Sequence, residues 1–285
     1  MPCILLLALF AFADDAEIAR SLKEKGAKIG ETKGAITTLD AADCSAWTEA
    51  DFRQLGQLTH LKSLSLGRGV TDTTLPLFCG LPELEVLQTN ECQVTDDGIK
   101  ALTGLTSLKN LKLFHPGKAF SGTGLAQLAE MPNLERLTVA GSLAFGDEGM
   151  AAVGRLTRLK ELRTWHAGQT LEGVKKLKEL KNLKNLTLGQ RLAYTPPTTL
   201  SDETLPVLAE LTSLETLQLE EARLKLEALG QLKALSNLKK LILAGIDLSE
   251  ADVERLRAEM PKVEIQWTRP SEVYLKRIEK LFGPK

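Results

Sequence analysis

Three histidines, His60, His115 and His166, are the only imidazoles in this 285-residue chain. Two of them follow a large aromatic: Phe114 precedes His115, and Trp165 precedes His166. Each pair also has a cation two residues before its aromatic, Lys112 and Arg163, and Arg136 stands between the pairs. Imidazoles can hold a metal or move a proton. Aromatics beside cations can anchor a polar or anionic part of a partner, since Trp, Tyr and Arg are enriched at interface centres. The sequence signatures of common reactions are absent. No phosphate-cradling lysine loop, no G-x-G-x-x-G, no H-E-x-x-H, no C-x-x-C and no G-x-S-x-G occurs. The carboxylates are many, but most stand at helix-start positions or on exposed helix faces. No cofactor and no metal is expected.

The elements that carry these residues repeat. From Val94 to His115 the chain reads VTDDGIKALTGLTSLKNLKLFH. In its second half Leu108, Leu111 and Leu113 form L-x-x-L-x-L, an alternation that makes a short strand with one apolar face. In its first half Ile99, Leu102 and Leu105 recur at helical spacing, with Thr95 and Asp96 as expected N-caps. The register restarts at Ile36, Leu61, Leu84, Leu108, Leu134, Leu159, Leu183, Leu214 and Leu238, and a degenerate strand begins at Val263. Intervals are 23–26 residues apart from one of 31. Neither half can bury its apolar side alone, so the units must stack into one continuous core. His115 and His166 then hold the same position two units apart. At roughly 4.8 Å per strand step they are about 10 Å apart, too far to share a zinc held at about 2.0–2.1 Å by each.

This pattern resembles the leucine-rich repeat superfamily over roughly residues 36–267. It is most similar to the cysteine-containing, ribonuclease-inhibitor-like subtype. Leu84 to Leu102 matches closely, with Cys92 at the cysteine position and Val94-Thr95-Asp96 after it. Cys44 falls on the same position; Gly69, Pro116, Ser142, Ala167, Arg191, Ala222 and Ile246 replace it elsewhere. The resemblance implies a curved solenoid that binds other molecules, usually proteins, and implies no catalytic residues.

Composition agrees with a leucine-built interior: 43% hydrophobic residues but only 5% aromatic. A net charge of −1 offers no electrostatic footprint for nucleic acid or an anionic membrane. The 26% of charged residues read as a solvated convex face. Residues 1–13, MPCILLLALFAFA, resemble a secretory signal with an A-x-A-like site before Asp14, although no Lys or Arg precedes the apolar run. The alternative is a buried apolar N-terminus, which would leave the protein cytoplasmic rather than secreted, periplasmic or in the cell envelope. Cys44, Cys79 and Cys92 would remain after cleavage. Their odd number and the spacing of Cys44 from Cys92 favour free, buried thiols.

The expected fold is therefore α/β: a leucine-rich-repeat horseshoe with a parallel β-sheet on the concave side and helices outside. Its expected division is a signal at 1–13, a capping helix and edge strand at 14–35, about nine repeats plus a terminal strand at 36–267, and an amphipathic helix at 268–285. Trp47 and Phe52 should be core, and Trp267 should plug the C-terminal end. In each repeat the third, fifth and seventh residues should face away from the core. The seventh-position ladder is Gly67, Asn90, Phe114, Ala140, Trp165, Gly189, Glu220 and Ala244. Two aromatics thus flank an alanine on a polar face, with His115 and His166 beside them, Lys112 and Arg163 on the fifth ladder, and Arg136 on the third. An inserted loop, QRLAYTPPTT, puts Tyr194 near the same edge. These eight residues are the expected binding site, for a protein or peptide partner with an acidic segment. The bland alternative is that Phe114 and Trp165 fold over the loop edge and cover core. The alternatives for the whole chain are a cell-envelope scaffold and an unrecognised hydrolase.

Overall fold

The computed structural model describes residues 14–190 and 199–283. The candidate signal, 1–13, and most of the inserted loop, including Tyr194, lie outside the described residues. Eleven strands form one sheet in strict sequence order. They are β1 (Lys28–Thr32), β2 (Ala35–Asp43), β3 (Ser63–Arg68), β4 (Val86–Asn90), β5 (Asn110–Phe114), β6 (Arg136–Ala140), β7 (Glu161–Trp165), β8 (Asn185–Gly189), β9 (Thr216–Glu220), β10 (Lys240–Ala244) and β11 (Glu264–Thr268). β1 pairs antiparallel with β2, and every later pairing is parallel. Each strand touches only its sequence neighbours, as stacked units require. β2 and β3, at nine and six residues, are longer than the five-residue strands of the later repeats.

The fourth and sixth residues of each repeat point inward. Leu87, Leu111, Leu137, Leu162 and Leu186 are buried in one row, and Leu113, Val139 and Leu188 in the next. Thr89 and Thr164 occupy sixth positions in that second row, and both are buried. Gln169 donates to the Thr164 hydroxyl at 3.2 Å, so that polar atom keeps a partner inside the core. With helices backing the sheet, the architecture is an α/β leucine-rich-repeat solenoid.

The convex side differs from expectation in two ways. The segments Gly98–Gly104 and Thr123–Leu128 are 3₁₀ turns rather than α-helices. Ile99, Leu102 and Leu105 are spaced by three, and three residues per turn is the 3₁₀ period, so one stripe buries all three. Thr95 Oγ1 accepts from Asp97 N at 3.3 Å and so caps its own turn as expected, but Asp96 does not. The Asp96 carboxylate instead accepts from Ser121 N at 2.8 Å, Ser121 Oγ at 2.7 Å and Gly124 N at 2.9 Å in the next repeat. Asp72 does the same for Thr95, and Asp147 for Thr170. These aspartates cap forward across the repeat boundary.

Both ends are covered. The N-terminal helix (Asp15–Glu24) buries Ile18, Ala19 and Leu22, and its Asp14 cap accepts from Ala16 N. Trp47 packs on Phe52 with ring centroids 5.4 Å apart, and both are buried. At the other end Trp267 is only half-buried, but its indole N–H donates to Ile246 O at 2.9 Å. The C-terminal helix (Glu272–Phe282) has Ser271 as its N-cap and buries Ile278. Arg223 holds its end, donating from Nη1 to Gly283 O and pairing through Nε with Asp247. Leu275 and Leu281 are only half-buried.

Cys44, Cys79 and Cys92 are free and buried. Burial pushes the Cys44 thiol up to about 11 and the Cys79 thiol up to about 12, so neither is a reactive thiolate at neutral pH.

One charge ties the N-terminal cap to the first repeat. Burial raises the Asp51 carboxyl, but bonds from Lys25 Nζ at 2.5 Å, Thr48 N at 2.7 Å and Thr48 Oγ at 2.8 Å outweigh it and hold the group below 3.8. A folded-state value below the unfolded one stabilises the fold above the unfolded value, and that stability is lost as pH falls toward the folded one. Amide protection over Glu49–Leu55 should therefore drop as pH falls below 3.8. Hydrogen exchange on wild type and Asp51→Asn checks this: the variant should show reduced protection already at neutral pH and little further acid response.

Candidate interaction surface on the concave sheet

The register sets the surface. β6 lies between β5 and β7, with Phe114 opposite Ala140 and Ala140 opposite Trp165. Parallel strands stand roughly 4.8 Å apart, so the two aromatics start about 10 Å apart. Their rings close that gap: the centroids are 6.0 Å apart at an interplanar angle of 56°. Ala140 beneath them is buried, and its small side chain leaves room for the rings to meet. The guanidinium of Arg163 lies 5.4 Å from the Trp165 ring centroid, a cation–π arrangement. Gly189 gives space on the other flank; a Cβ there would run into Trp165 Cβ. Phe114 and Trp165 themselves are half-buried. They cover Ala140, as the bland reading has it, yet they also present a tilted aromatic platform to solvent.

Cations surround that platform. Lys112 and Arg163 flank Thr138 one level down, and Arg136 lies one level further along β6. Among the described residues none of the three is paired with a carboxylate. The Arg136 Nε atom is buried without a hydrogen-bond partner. This contrasts with the strand-start edge one residue before each third position, where lysine and glutamate alternate in pairs. Lys160 meets Glu135 at 2.6 Å, and Lys184 and Lys239 both meet Glu215, whose carboxyl they pull down to about 2.

The two histidines do not join each other. His115 Nδ1 bonds Asn90 Oδ1 at 3.0 Å toward the N-terminal side, and His166 Nε2 meets Glu221 Oε2 at 3.2 Å toward the C-terminal side. Both stand in left-handed backbone, with φ of 44° and 51°. Glu91 and Glu221 share this position and conformation, while Gly141 and Gly245 fill it in other repeats. The chain turns left-handed as it leaves β4, β5, β6, β7, β9 and β10, and the non-glycine residues there carry backbone strain. His115 also lies where a Cβ on Gly141 would fall, so that glycine makes room for the imidazole.

The sequence reading missed Leu143. It is 53% exposed in the loop after β6, between the loops that carry His115 and His166. Its signal was an apolar residue outside the repeat register. The inserted loop closes on a buried glutamine: Gln190 Oε1 accepts from Thr199 N at 2.8 Å and Leu200 N at 3.1 Å. Asn185, in a formal glycosylation sequon, is half-buried within β8.

Among the described residues no group of His, Cys, Asp and Glu could hold a metal ion, and no helix is long and apolar enough to cross a membrane. No family model matches the chain, and no curated protein matches it. Among solved structures the chain is similar to an internalin from Listeria monocytogenes, at 19% identity and a TM-score of 0.46. That likeness covers 77% of this chain and 64% of the internalin chain.

Proposed function

We propose that this chain is a non-enzymatic binding module that takes a protein or peptide segment, with acidic residues in it, on the concave face between β5 and β7. The observation that carries this reading is the Phe114–Trp165 platform, 6.0 Å between centroids, with Arg163 against it and Lys112 and Arg136 nearby. Packing does not require two large aromatics on the solvent face of a leucine-built sheet. Aromatic anchors ringed by polar groups concentrate binding energy. His115, His166 and Leu143 extend the surface along the loop edge. No reaction is proposed: Asp72, Asp96 and Asp147 bond the next repeat, and Glu135 and Glu215 pair with lysines.

Selection of peptides from a displayed random library on the purified protein tests the site. Trp165→Ala should weaken the selected binders by about 2 kcal/mol or more. Lys176→Ala, on the convex face, should change nothing. Equal binding by wild type and a folded Phe114→Ala/Trp165→Ala variant would sink the site.

We further propose that the protein works outside the cytoplasm, in the envelope or beyond it. The apolar run ending in Ala11-Phe12-Ala13 supports this. The intact mass of protein from its native host should correspond to a chain starting at Asp14. A mass that retains Met1 would return the protein to the cytosol.

A further inference from the structure

The surface has levels as well as columns. Across β5, β6 and β7 the register puts Phe114, Ala140 and Trp165 on one level, and Lys112, Thr138 and Arg163 on the next. The outer neighbours of that second level, Gln88 and Thr187, are uncharged. It therefore carries two cations and no acid. The third level places Arg136 beside Glu161, so its charges balance. Along a strand, side chains on one face recur every second residue, at about 6.6–6.8 Å. An extended partner segment has the same step. If one of its residues packs on the rings, the residue two positions away faces Lys112 and Arg163. Residues one or three positions away point off the sheet.

We infer that the concave face selects an extended segment with an apolar residue and an acidic residue two positions apart, aligned along β6. This rests on the binding-module reading above and names the partner's chemistry. The apolar residue sits on Phe114 and Trp165. The carboxylate takes charge-assisted hydrogen bonds from Lys112 and Arg163, whose charges no described carboxylate neutralises. A second acid two positions further on gains little, because Glu161 opposes it beside Arg136. Spacing, rather than total negative charge, sets the preference.

Fluorescent nine-residue peptides test this on the full chain. Each has one phenylalanine, one glutamate at a separation of one, two, three or four residues in either order, and serine elsewhere. Anisotropy titration should show the separation of two binding at least about ten-fold tighter than one or three. The charge-reversed variant Lys112→Glu/Arg163→Glu should instead prefer the peptide with lysine at that separation. Lys112→Gln/Arg163→Gln should lose the preference altogether, and circular dichroism verifies that each variant is folded. Affinity that is indifferent to separation, an unchanged preference in the reversed variant, or no binding by any of these peptides would each overturn the inference. If library peptides without this spacing still lose binding on Phe114→Ala/Trp165→Ala, only the spacing rule fails. If no peptide responds to that double substitution, the concave-face reading fails with it.

Discussion

Leu111→Ala should cost about 2–5 kcal/mol of folding stability. Leu111 is fully buried on β5, in register with Leu87 on β4 and Leu137 on β6, both also buried. The substitution removes three carbons from the middle of an unbroken leucine row. The cavity has leucine on both sides, and the strands cannot close over it. Their spacing is held by ladder hydrogen bonds to neighbours whose own spacing is the same. The transfer and cavity contributions therefore both count, which favours the upper part of the range. In a urea titration the midpoint should fall while the slope stays unchanged, since the surface exposed on unfolding barely alters. A loss below about 0.5 kcal/mol would mean that the fourth position is not core. Repeat arrays respond locally, so hydrogen exchange should show the largest loss in β4 to β6.

The strand half of the repeat was legible because its period is two and its leucines recur at nearly constant intervals. That alone places the inward rows and makes the seventh position a concave ladder. It also brings Phe114 and Trp165 to either side of Ala140, and their rings do meet. The helix half was less legible. A spacing of three fits an α-helical stripe and a 3₁₀ turn equally well over seven residues, and short connections favour the tighter turn at Gly98–Gly104. His115 and His166 share a repeat position, yet their partners lie on opposite sides, Asn90 and Glu221. Side-chain direction at a left-handed residue depends on what the flanking repeats leave open, and a periodic pattern does not encode that. Leu143 escaped for the opposite reason, since it belongs to no column.

The aspartates show most clearly what a one-repeat reading overlooks. Asp96 looks like a helix cap within its own unit, but this acceptor and its donors lie in different units. The same arrangement recurs: Asp72 faces Thr95, Asp96 faces Ser121, and Asp147 faces Thr170. Gly98, Gly124 and Gly173 follow three residues after each donor, and a Cβ on any of them would strike the aspartate behind it. A T/S-x-x-G signature in one repeat is thus the imprint of an aspartate in the repeat before. Asp96 is the most heavily bonded of the three, with three donors at 2.7–2.9 Å. Asp96→Ala should cost about 3–5 kcal/mol, because it strands the Ser121 and Gly124 amides, and each unpaired part-buried donor costs about 1–3 kcal/mol. Asp96→Asn should cost clearly less. Its amide oxygen still accepts from one donor, while its NH₂ faces the others. Urea titration of the two variants checks the order, and hydrogen exchange locates the damage. Protection should fall at Ser121 to Leu128, downstream of the substitution. Loss confined to Gly98–Gly104 would mean that Asp96 caps its own turn and that the forward link between repeats is wrong.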